Sequence, residues 1–414
     1  MEILRFITAG SVDDGKSTLI GRLLFDSKNI LVDQLESLQK QSKNVPAGEI
    51  DLALLTDGLR AEREQGITID VAYKYFNTSK RKFIIADAPG HIQYTRNMIT
   101  GASNSEAMVI LIDARNGVIE QTKRHSYIAA MLSLPNVIVA VNKMDLVNYS
   151  QDVFNEIKEN FMKMSSKINF DHITFIPISA LSGENIVSKS NKMNWYEGPS
   201  LIHLLENIPV NVKQEKEGFI FQVQFVNRPQ TSELHDFRGF IGKVLDGKIK
   251  KGDEIQIHPS GLHSKIKSII YKGEIVEEVN EGLVCTIETY DDIDISRGDL
   301  IVNDLNVYEA SNESKVLLCW MSEHQLQLGT KYTLQQNSFK TKALIQDIIH
   351  KVDIHSFKEE TEIQNVRLND IVSIKLKTQK ALLKHRKSTQ SALNKGIIID
   401  ETTHNTVGAF IIQE

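Results

Sequence analysis

The sequence contains few cysteines and prolines and no long apolar run. Its 414 residues include 2 cysteines, Cys285 and Cys319, and 8 prolines. Cysteines so few and so far apart favour two reduced, buried thiols over a disulfide or a metal site. The most apolar stretch, 107–114, has the length of a strand and contains Asp113, whereas a transmembrane helix needs about 18 consecutive apolar residues. Disulfide-rich, membrane-spanning, collagen-like and disordered classes are therefore excluded.

The chain also lacks a large excess of charge of either sign. It contains 48 Lys and Arg residues and 53 Asp and Glu residues, which gives a net charge of −5. This mild acidity argues against a nucleic-acid partner, because binding by counterion release requires a basic face. The residues after Met1 lack the basic and apolar regions of a signal peptide, so we expect a cytoplasmic protein without a membrane partner.

The first half of the chain alternates buried strands with helical segments. Such alternation predicts a mostly parallel sheet with helices on both faces, which is an α/β domain. The expected strands are 3–9, 82–86, 107–113, 136–141 and 174–178, and the expected helices are 16–24, 119–132 and 151–164. The charged segment 213–218 predicts a linker after this domain.

The remainder of the chain has short strand-like runs separated by glycine-containing turns. This texture predicts two small all-β domains, each a barrel. In the first of them, turns are expected at 246–247, 251–253, 272–273 and 297–299. With about 100–200 residues per domain, we expect three domains, at 1–212, 216–308 and 312–414.

A phosphate-binding motif follows the first expected strand. Gly10 to Ser17 fit the pattern G-x-x-x-x-G-K-[ST], in which glycines, backbone amides and a helix N-terminus form an anion site. Lys16 would reach the β- and γ-phosphates, and the Ser17 hydroxyl would ligate Mg²⁺. A structural turn is the alternative interpretation. The nucleotide-binding residues expected here are Gly10, Ser11, Val12, Asp13, Asp14, Gly15, Lys16, Ser17 and Thr18.

A second motif predicts which base is bound. Asn142, Lys143, Met144 and Asp145 follow the strand 136–141, where a base-reading loop lies in this topology. The Asp145 carboxylate can accept hydrogen bonds from N1–H and the exocyclic amine of guanine, a pair that adenine does not offer. Asn142 would brace the loop, and the Lys143 stem would lie over the ring. The pocket would be completed by backbone amides of Ser179, Ala180 and Leu181, although neither motif is specific when taken alone.

A third motif supplies the expected hydrolytic residues, Asp87, Ala88, Pro89, Gly90 and His91. Asp87 would hold Mg²⁺ through water, the Gly90 amide would bond the γ-phosphate, and His91 would orient the attacking water. Upstream, Thr68 would be a second Mg²⁺ ligand and a switch residue. The alternatives are a structural His and an ordinary strand Thr. The expected catalytic residues are therefore Lys16, Thr68 and His91, and the expected metal ligands are Ser17, Thr68 and Asp87.

These motifs, in this order, resemble the translation-factor class of GTPases, which contains elongation factor Tu and joins a G domain to two β-barrels. Within that class, three segments resemble one family, the large subunit of bacterial sulfate adenylyltransferase. This subunit is a GTPase and is also called subunit 1. The segments are 8–24, 57–70 and 91–103. Asp14 stands where elongation factors usually carry His, which favours this family. The resemblance spans the full chain and is looser in the barrels.

The resemblance implies a division of labour between two chains. A smaller adenylyltransferase subunit, of the PP-loop ATP pyrophosphatase type, makes adenylyl sulfate and pyrophosphate from ATP and sulfate. The large subunit hydrolyses GTP to drive that reaction in a heterodimer or a larger complex. This sequence contains no S-G-G-x-D-S loop, no H-x-G-H motif and no second phosphate loop, which agrees with transfer on another chain. Two alternatives remain: an elongation-factor-like GTPase that delivers aminoacyl-tRNA or acts on the ribosome, and a module that binds GTP without hydrolysing it.

The resemblance also implies that two apolar residues gate His91. This sequence departs from the family's pattern at two places. Val12 and Ile67 match the apolar pair that flanks the catalytic His in this class, although ordinary packing explains each nearly as well. Ala88 replaces the Thr that is usual in this family. The segment Lys384–Lys387 is basic where an acidic and aromatic barrel loop is expected, and such a charge run usually forms a solvated loop.

Overall fold

The chain divides into two compact units. The first comprises residues 1–212 and 353–358, and the second comprises residues 213–352 and 359–414. The boundaries of the three expected domains stay a prediction. The structure, a computed structural model, describes residues 2–27, 52, 70–91, 95–168, 170–209, 218–229, 237–303, 307–386 and 391–413.

The first unit is built on one sheet. Its strands are β1 (Ile3–Ala9), β2 (Ala72–Asn77), β3 (Lys82–Asp87), β4 (Ala107–Asp113), β5 (Asn136–Asn142) and β6 (His172–Pro177). They lie in the order β2-β3-β1-β4-β5-β6, with β2 antiparallel and the other strands parallel. The helices described are α1 (Lys16–Asp26), α2 (Thr95–Ala102), α3 (Glu120–Met131), α4 (Gln151–Ser165) and α5 (Leu201–Asn207). The predicted α/β domain with a mostly parallel sheet is confirmed.

Burial explains which of these elements the sequence predicts. β4 and β5 are buried along their full length, so they read as continuous apolar runs. The edge strand β2 was not predicted, because its exposed and half-buried residues form no apolar run, and Tyr75 is 66% exposed. Among the described residues, no helix is both long and apolar enough to cross a membrane.

The second unit contains two closed barrels, as predicted. In the first barrel, the strands are β7 (Phe219–Asn227), β8 (Gly239–Lys250), β9 (Glu254–His258), β10 (His263–Tyr271), β11 (Glu274–Val276), β12 (Glu278–Asn280), β13 (Val284–Thr289) and β14 (Leu300–Val302). Their order is β11-β10-β13-β8-β7-β14-β9, with β12 beside β8, and pairing of β9 with β10 closes the ring.

The second barrel has its own strand order. Its strands are β15 (Tyr308–Trp320), β16 (Lys331–Gln336), β17 (Phe339–Val352), β18 (Glu359–Glu360), β19 (Ile371–His385), β20 (Lys395–Asp400) and β21 (Thr406–Ile412). They follow the order β16-β20-β21-β15-β19-β17-β18, and pairing of β16 with β17 closes the ring. An apolar cluster of β7, β14, β15 and β19 residues lies between the two barrels of this unit.

The turn predicted at Asp246–Gly247 is wrong, because both residues lie inside β8. The pairing with β7 shifts register at this point. Gly247 has a φ of +69°, and a Cβ added to it would lie 2.0 Å from the carbonyl oxygen of Gly218. The glycine therefore permits a bulge and a close backbone approach, and a sequence pattern cannot distinguish these from a turn.

The basic segment is not a solvated loop where the structure describes it. Lys384 and His385 are the last residues of β19. Lys384 Nζ lies 3.5 Å from the Glu309 carboxylate, and His385 Nε2 lies 3.5 Å from Asp246 Oδ2. The expectation is therefore wrong for these residues, because they lie in a strand and contact carboxylates of the same unit. Lys387 lies outside the described residues.

The segment 353–358 belongs to the first unit, although its neighbours in sequence belong to the second. The Phe357 ring stacks on that of Tyr127 in α3, with ring centroids 5.6 Å apart. Lys123 Nζ, one turn earlier in α3, donates to the His355 carbonyl oxygen at 3.2 Å. An aromatic stack and a charged hydrogen bond thus hold the segment against α3.

Candidate functional site

The loop between β1 and α1 is held closed by its own side chains. The Ser11 amide donates to the Asp14 carboxylate at 2.5 Å. α1 begins directly after Gly15, whose φ of +93° lies in the left-handed region that favours glycine. The first N–H groups of a helix have no partner within the helix, so a loop of this shape presents an anion site at its end.

Lys16 lies at the centre of this loop. Its Nζ donates to the carbonyl oxygens of Gly10 and Ser11, at 3.0 and 2.7 Å. Burial lowers its pKa, and the nearby charges of Asp87 and Asp14 oppose that shift. An ammonium group has three N–H donors, so two of them brace the loop and one is left for a phosphate oxygen.

Asp14 has a structural part that sequence reasoning did not assign. Its carboxylate accepts from the Ser11 amide, and its side chain is buried. Burial raises its pKa, while the bond from Ser11 and the charge of Lys16 lower it. Asp14 thus fixes the shape of the loop from within.

The loop after β3 lies directly on the phosphate loop. A Cβ added to Gly90 would lie 2.4 Å from Lys16 Nζ and 2.8 Å from the Gly10 carbonyl oxygen. Asp87 and the three residues after it are buried, whereas His91 is exposed. The structure therefore brings the third predicted motif against the first, and only a glycine fits at the contact.

Asn142 connects the first motif to the base-reading loop and to the loop after β6. Its Nδ2 donates to the Asp14 carbonyl oxygen at 2.8 Å, and its Oδ1 accepts from the Ala180 amide at 2.9 Å. The Ala180 amide was expected to face the base, so its partner differs from the expected one. A Cβ added to Gly15 would lie 2.4 Å from Asn142 Nδ2, which explains why a glycine ends the phosphate loop.

The Asp145 carboxylate is oriented by a hydroxyl group. Ser179 Oγ donates to Asp145 Oδ1 at 2.6 Å, and Ser182 Oγ donates to Ser179 Oγ at 2.7 Å. Ser179 is fully buried. Sequence reasoning assigned only a backbone amide to Ser179, and no sequence signal marks its side chain as a partner of Asp145.

Arg22 was also missed by sequence reasoning. Its side chain extends from α1 to the loop after β6, where it donates to the carbonyl oxygens of Ala180, at 3.2 Å, and Leu181. Arg22 also lies 3.6 Å from Asp26, four residues later in the same helix. The sequence suggests only this pair within the helix, because nothing marks the contact with the loop.

A buried polar pair on α3 lies beside the third motif. Gln121 Nε2 is 3.4 Å from the Gly90 carbonyl oxygen and 3.1 Å from His125 Nε2. Because the amide donates, His125 accepts at Nε2 and is neutral. Burial, together with the charge of Lys16, lowers the pKa of His125 to about 3. The spacing of four residues on one helix face is the signal that could have found this pair.

The remaining predicted residues have various positions. Ser17 and Thr18 are half-buried in the first turn of α1, Met144 is buried, and the side chain of Val12 is 38% exposed. Thr68 and Ile67 lie outside the described residues. Within the described part of the chain, no group of three or more His, Cys, Asp or Glu side chains is placed to hold a metal ion.

Comparison with known proteins gives the family. A model of the elongation factor Tu GTP binding domain matches residues 1–234, and a model of the GTP-eEF1A C-terminal domain-like family matches residues 313–413. A sulfate adenylyltransferase subunit 1 from Cellvibrio japonicus is 46% identical over 100% of this chain and 87% of its own length. One from Teredinibacter turnerae is 48% identical over 99% of this chain and 86% of its own length. The chain belongs to the sulfate adenylyltransferase subunit 1 family.

The fold of this family member is also found in a solved structure. The crystal structure of the S. cerevisiae Ski7 GTPase-like domain bound to GTP has a TM-score of 0.50 and 19% sequence identity. The match covers 100% of this chain and 97% of that chain. This likeness concerns the fold alone. It accords with the α/β unit and barrels described above.

Proposed function

We propose that this chain hydrolyses GTP and couples the free energy released to the formation of adenylyl sulfate and pyrophosphate from ATP and sulfate on a partner subunit. The curated relatives that match almost the whole chain are named sulfate adenylyltransferase subunit 1, and that name implies a further subunit. The observation that carries the proposal is the pair of hydrogen bonds made by Asn142. They join the base-reading loop to the phosphate-binding loop and to the loop after β6, which supports a guanine-nucleotide site built from these three loops.

Each loop has a part in binding the nucleotide. The amides of the phosphate loop and the third Lys16 donor would hold the β- and γ-phosphates. Asp145, oriented by Ser179, would accept from the two N–H groups on the guanine edge, and the Lys143 stem would cover the ring. An adenine base would leave the Asp145 carboxylate unpaired, which disfavours ATP at this site.

The residues present are suited to Mg²⁺. Ser17 and Thr68 offer hydroxyl oxygens and Asp87 offers a carboxylate, which are the hard oxygen donors that Mg²⁺ prefers. Asp87 ends β3 in a buried position and acts electrostatically on Lys16, so its charge lies next to the phosphate-binding group. Bound Mg²⁺ supplies charge neutralisation at the phosphate oxygens.

The hydrolytic step needs little covalent chemistry from the protein. A water attacks the γ-phosphorus, the bond to the β,γ-bridging oxygen breaks, and GDP and phosphate leave. His91 follows Gly90 on the loop that touches Lys16, and its exposed imidazole would orient this water. Lys16 would stabilise the negative charge that develops on the phosphate oxygens.

The partner would be the smaller adenylyltransferase subunit, of the PP-loop ATP pyrophosphatase type, in a heterodimer or a larger complex. This chain has no transferase motif of its own. An elongation-factor-like function shares the guanine chemistry and differs in its partner. The names of the full-length relatives and the net charge of −5 favour the sulfate-activating function.

The experiment is to purify the chain together with the smaller subunit and to measure adenylyl sulfate formation from ATP and sulfate with and without GTP. We expect GTP to raise the yield of adenylyl sulfate, and the smaller subunit with its substrates to accelerate GTP hydrolysis. A non-hydrolysable GTP analogue is the matched control and should not raise the yield. Adenylyl sulfate formation that ignores GTP would refute the coupling, and GTP-dependent binding of aminoacyl-tRNA would establish the alternative.

A further inference from the structure

The carboxylate of Asp113, the last residue of β4, has hydrogen-bond donors at every acceptor position. Its Oδ1 accepts from the backbone N–H and Nε of Arg115, at 2.9 and 3.0 Å. Its Oδ2 accepts from Arg115 Nη2 at 2.6 Å and lies 3.0 Å from Lys143 Nζ. A carboxylate has about four lone-pair sites, so this group is saturated.

Arg115 determines where Lys143 can bind. Its planar guanidinium engages both carboxylate oxygens and so fixes the plane of the Asp113 group. One acceptor position on Oδ2 then remains, and Lys143 occupies it. Burial acts to raise the pKa of Asp113, but the hydrogen bonds from Arg115 and Lys143 outweigh it and lower that pKa to about 2. The group is therefore ionised at neutral pH.

The backbone directs Lys143 toward this acceptor. Asp113 pairs with Asn142 across β4 and β5, so the residue after Asn142 starts at the end of the neighbouring strand. The backbone of Lys143 has a φ of +62°, in the left-handed region that residues other than glycine rarely adopt. A conformation of this kind persists only where surrounding contacts hold it, and the bond to Asp113 is such a contact.

We propose that Asp113 is a positioning residue for base recognition, which fixes the Lys143 side chain so that its stem covers the face of the bound purine. The inference rests on the proposed guanine-nucleotide site. Asp145 reads the edge of the base, whereas Lys143 covers its face. Loss of Asp113 therefore weakens the binding of guanine and hypoxanthine nucleotides by the same factor and leaves the preference between them unchanged.

Asp113→Asn is the direct test, because it keeps the shape and places an N–H donor opposite donors of Lys143 or Arg115. We expect GDP to bind about tenfold to a hundredfold more weakly, as for loss of a charged hydrogen bond, with an unchanged ratio of GDP to IDP affinity. Both affinities are measured by titration of the full chain. The matched control is Glu106→Gln, which precedes β4 at its other end and is paired with Arg5; it should bind GDP as the wild type does.

A double variant separates positioning from a general effect on the fold. If Asp113 acts through Lys143, then Asp113→Asn combined with Lys143→Met binds GDP no more weakly than Lys143→Met alone. The proposal would be overturned if the loss of GDP affinity in the double variant equalled the product of the losses in the two single variants. Wild-type GDP affinity in Asp113→Asn would overturn it as well. A wild-type chain that binds no guanine nucleotide would instead refute the proposed function.

Arg115→Met repeats the test at a more exposed side chain, should Asp113→Asn fail to fold. We expect a smaller loss of GDP affinity, with the ratio of GDP to IDP affinity again unchanged. Arg115→Met that binds GDP as tightly as the wild type would count against the fixed carboxylate plane on which the proposal depends.

Discussion

Asn142 uses both ends of its side-chain amide to join the Asp14 carbonyl oxygen, at 2.8 Å, to the Ala180 amide, at 2.9 Å. Asn142→Leu keeps the volume and leaves two buried polar groups without partners, at about 1–3 kcal/mol each. We expect a lower free energy of unfolding of the first unit, measured in urea, and loss of GDP binding by titration.

The control for that prediction is at the other end of the same strand. Asn136 begins β5, and its Nδ2 donates to the Glu106 carbonyl oxygen at 3.3 Å. Asn136→Leu should cost stability and leave GDP affinity unchanged, because it lies far along β5 from the loops. Equal GDP affinity in the Asn136 and Asn142 variants would show that Asn142 has no part in nucleotide binding.

Ser179→Ala removes the hydroxyl that orients Asp145. We expect the preference for GDP over IDP to fall about tenfold, because a carboxylate without this bond meets the exocyclic amine of guanine less well. The preference is measured as the ratio of the two dissociation constants. Ser182→Ala is the matched control, since its hydroxyl contacts Ser179 and not Asp145; a variant of Ser179 with wild-type preference would contradict the orienting role.

Asp145→Asn replaces an acceptor by a group that also donates. Guanine then loses one hydrogen-bond partner, whereas xanthine, which has a carbonyl oxygen in place of the amine, gains one. We expect the chain to bind XDP more tightly than GDP, as measured by competition. Asp152→Asn, at an exposed position in the first turn of α4, should bind GDP normally. Unchanged GDP affinity in Asp145→Asn would refute its reading of the base.

His125 makes the stability of the first unit depend on pH. Its pKa lies near 3 in the folded chain and at 6.5 in the unfolded chain, because burial, aided by the charge of Lys16, disfavours the cation. The unfolded state therefore binds more protons between these values, and stability is lost as the pH falls through that window. The slope from this group is up to about 1.4 kcal/mol per pH unit.

The measurement is urea unfolding of the first unit at a series of pH values between 4 and 7. His125→Asn should remove this part of the slope, and His172→Asn, at an exposed position of β6, should keep it. Identical slopes in the wild type and in His125→Asn would show that His125 is not buried as a neutral group.

The elements that could be predicted are those whose pattern is visible along the sequence alone, without knowledge of which segments pair. β4 was predicted with its exact bounds because both of its faces are buried and the run is apolar throughout. The edge strand β2 has no such run, and the Gly247 bulge looks the same as a turn until the pairing partner is known. Motif residues such as Lys16 and Asn142 were predicted because each belongs to a pattern of residue types at fixed spacing, and each pattern is typical of one kind of binding chemistry.

The contacts that support those motif residues were not predictable in the same way. Ser179 and Gln121 act through partners 34 and 31 residues away in sequence, Asp145 and Gly90. A hydroxyl or an amide at such a distance has many possible partners, and only the fold selects one. Asp113 was recognised as a polar residue in an apolar strand, but its bond to Lys143 depends on the register of β4 and β5.

The segment 353–358 has a consequence for synthesis on the ribosome. The first unit includes residues 1–212 and this segment, so its last part is translated after most of the second unit. At about 5–20 residues per second, roughly 7–30 s pass between the synthesis of residue 212 and that of Phe357, which packs on the α3 surface. A fragment that ends at residue 212 never receives it, so the first unit cannot be obtained whole by cutting the chain at a single point.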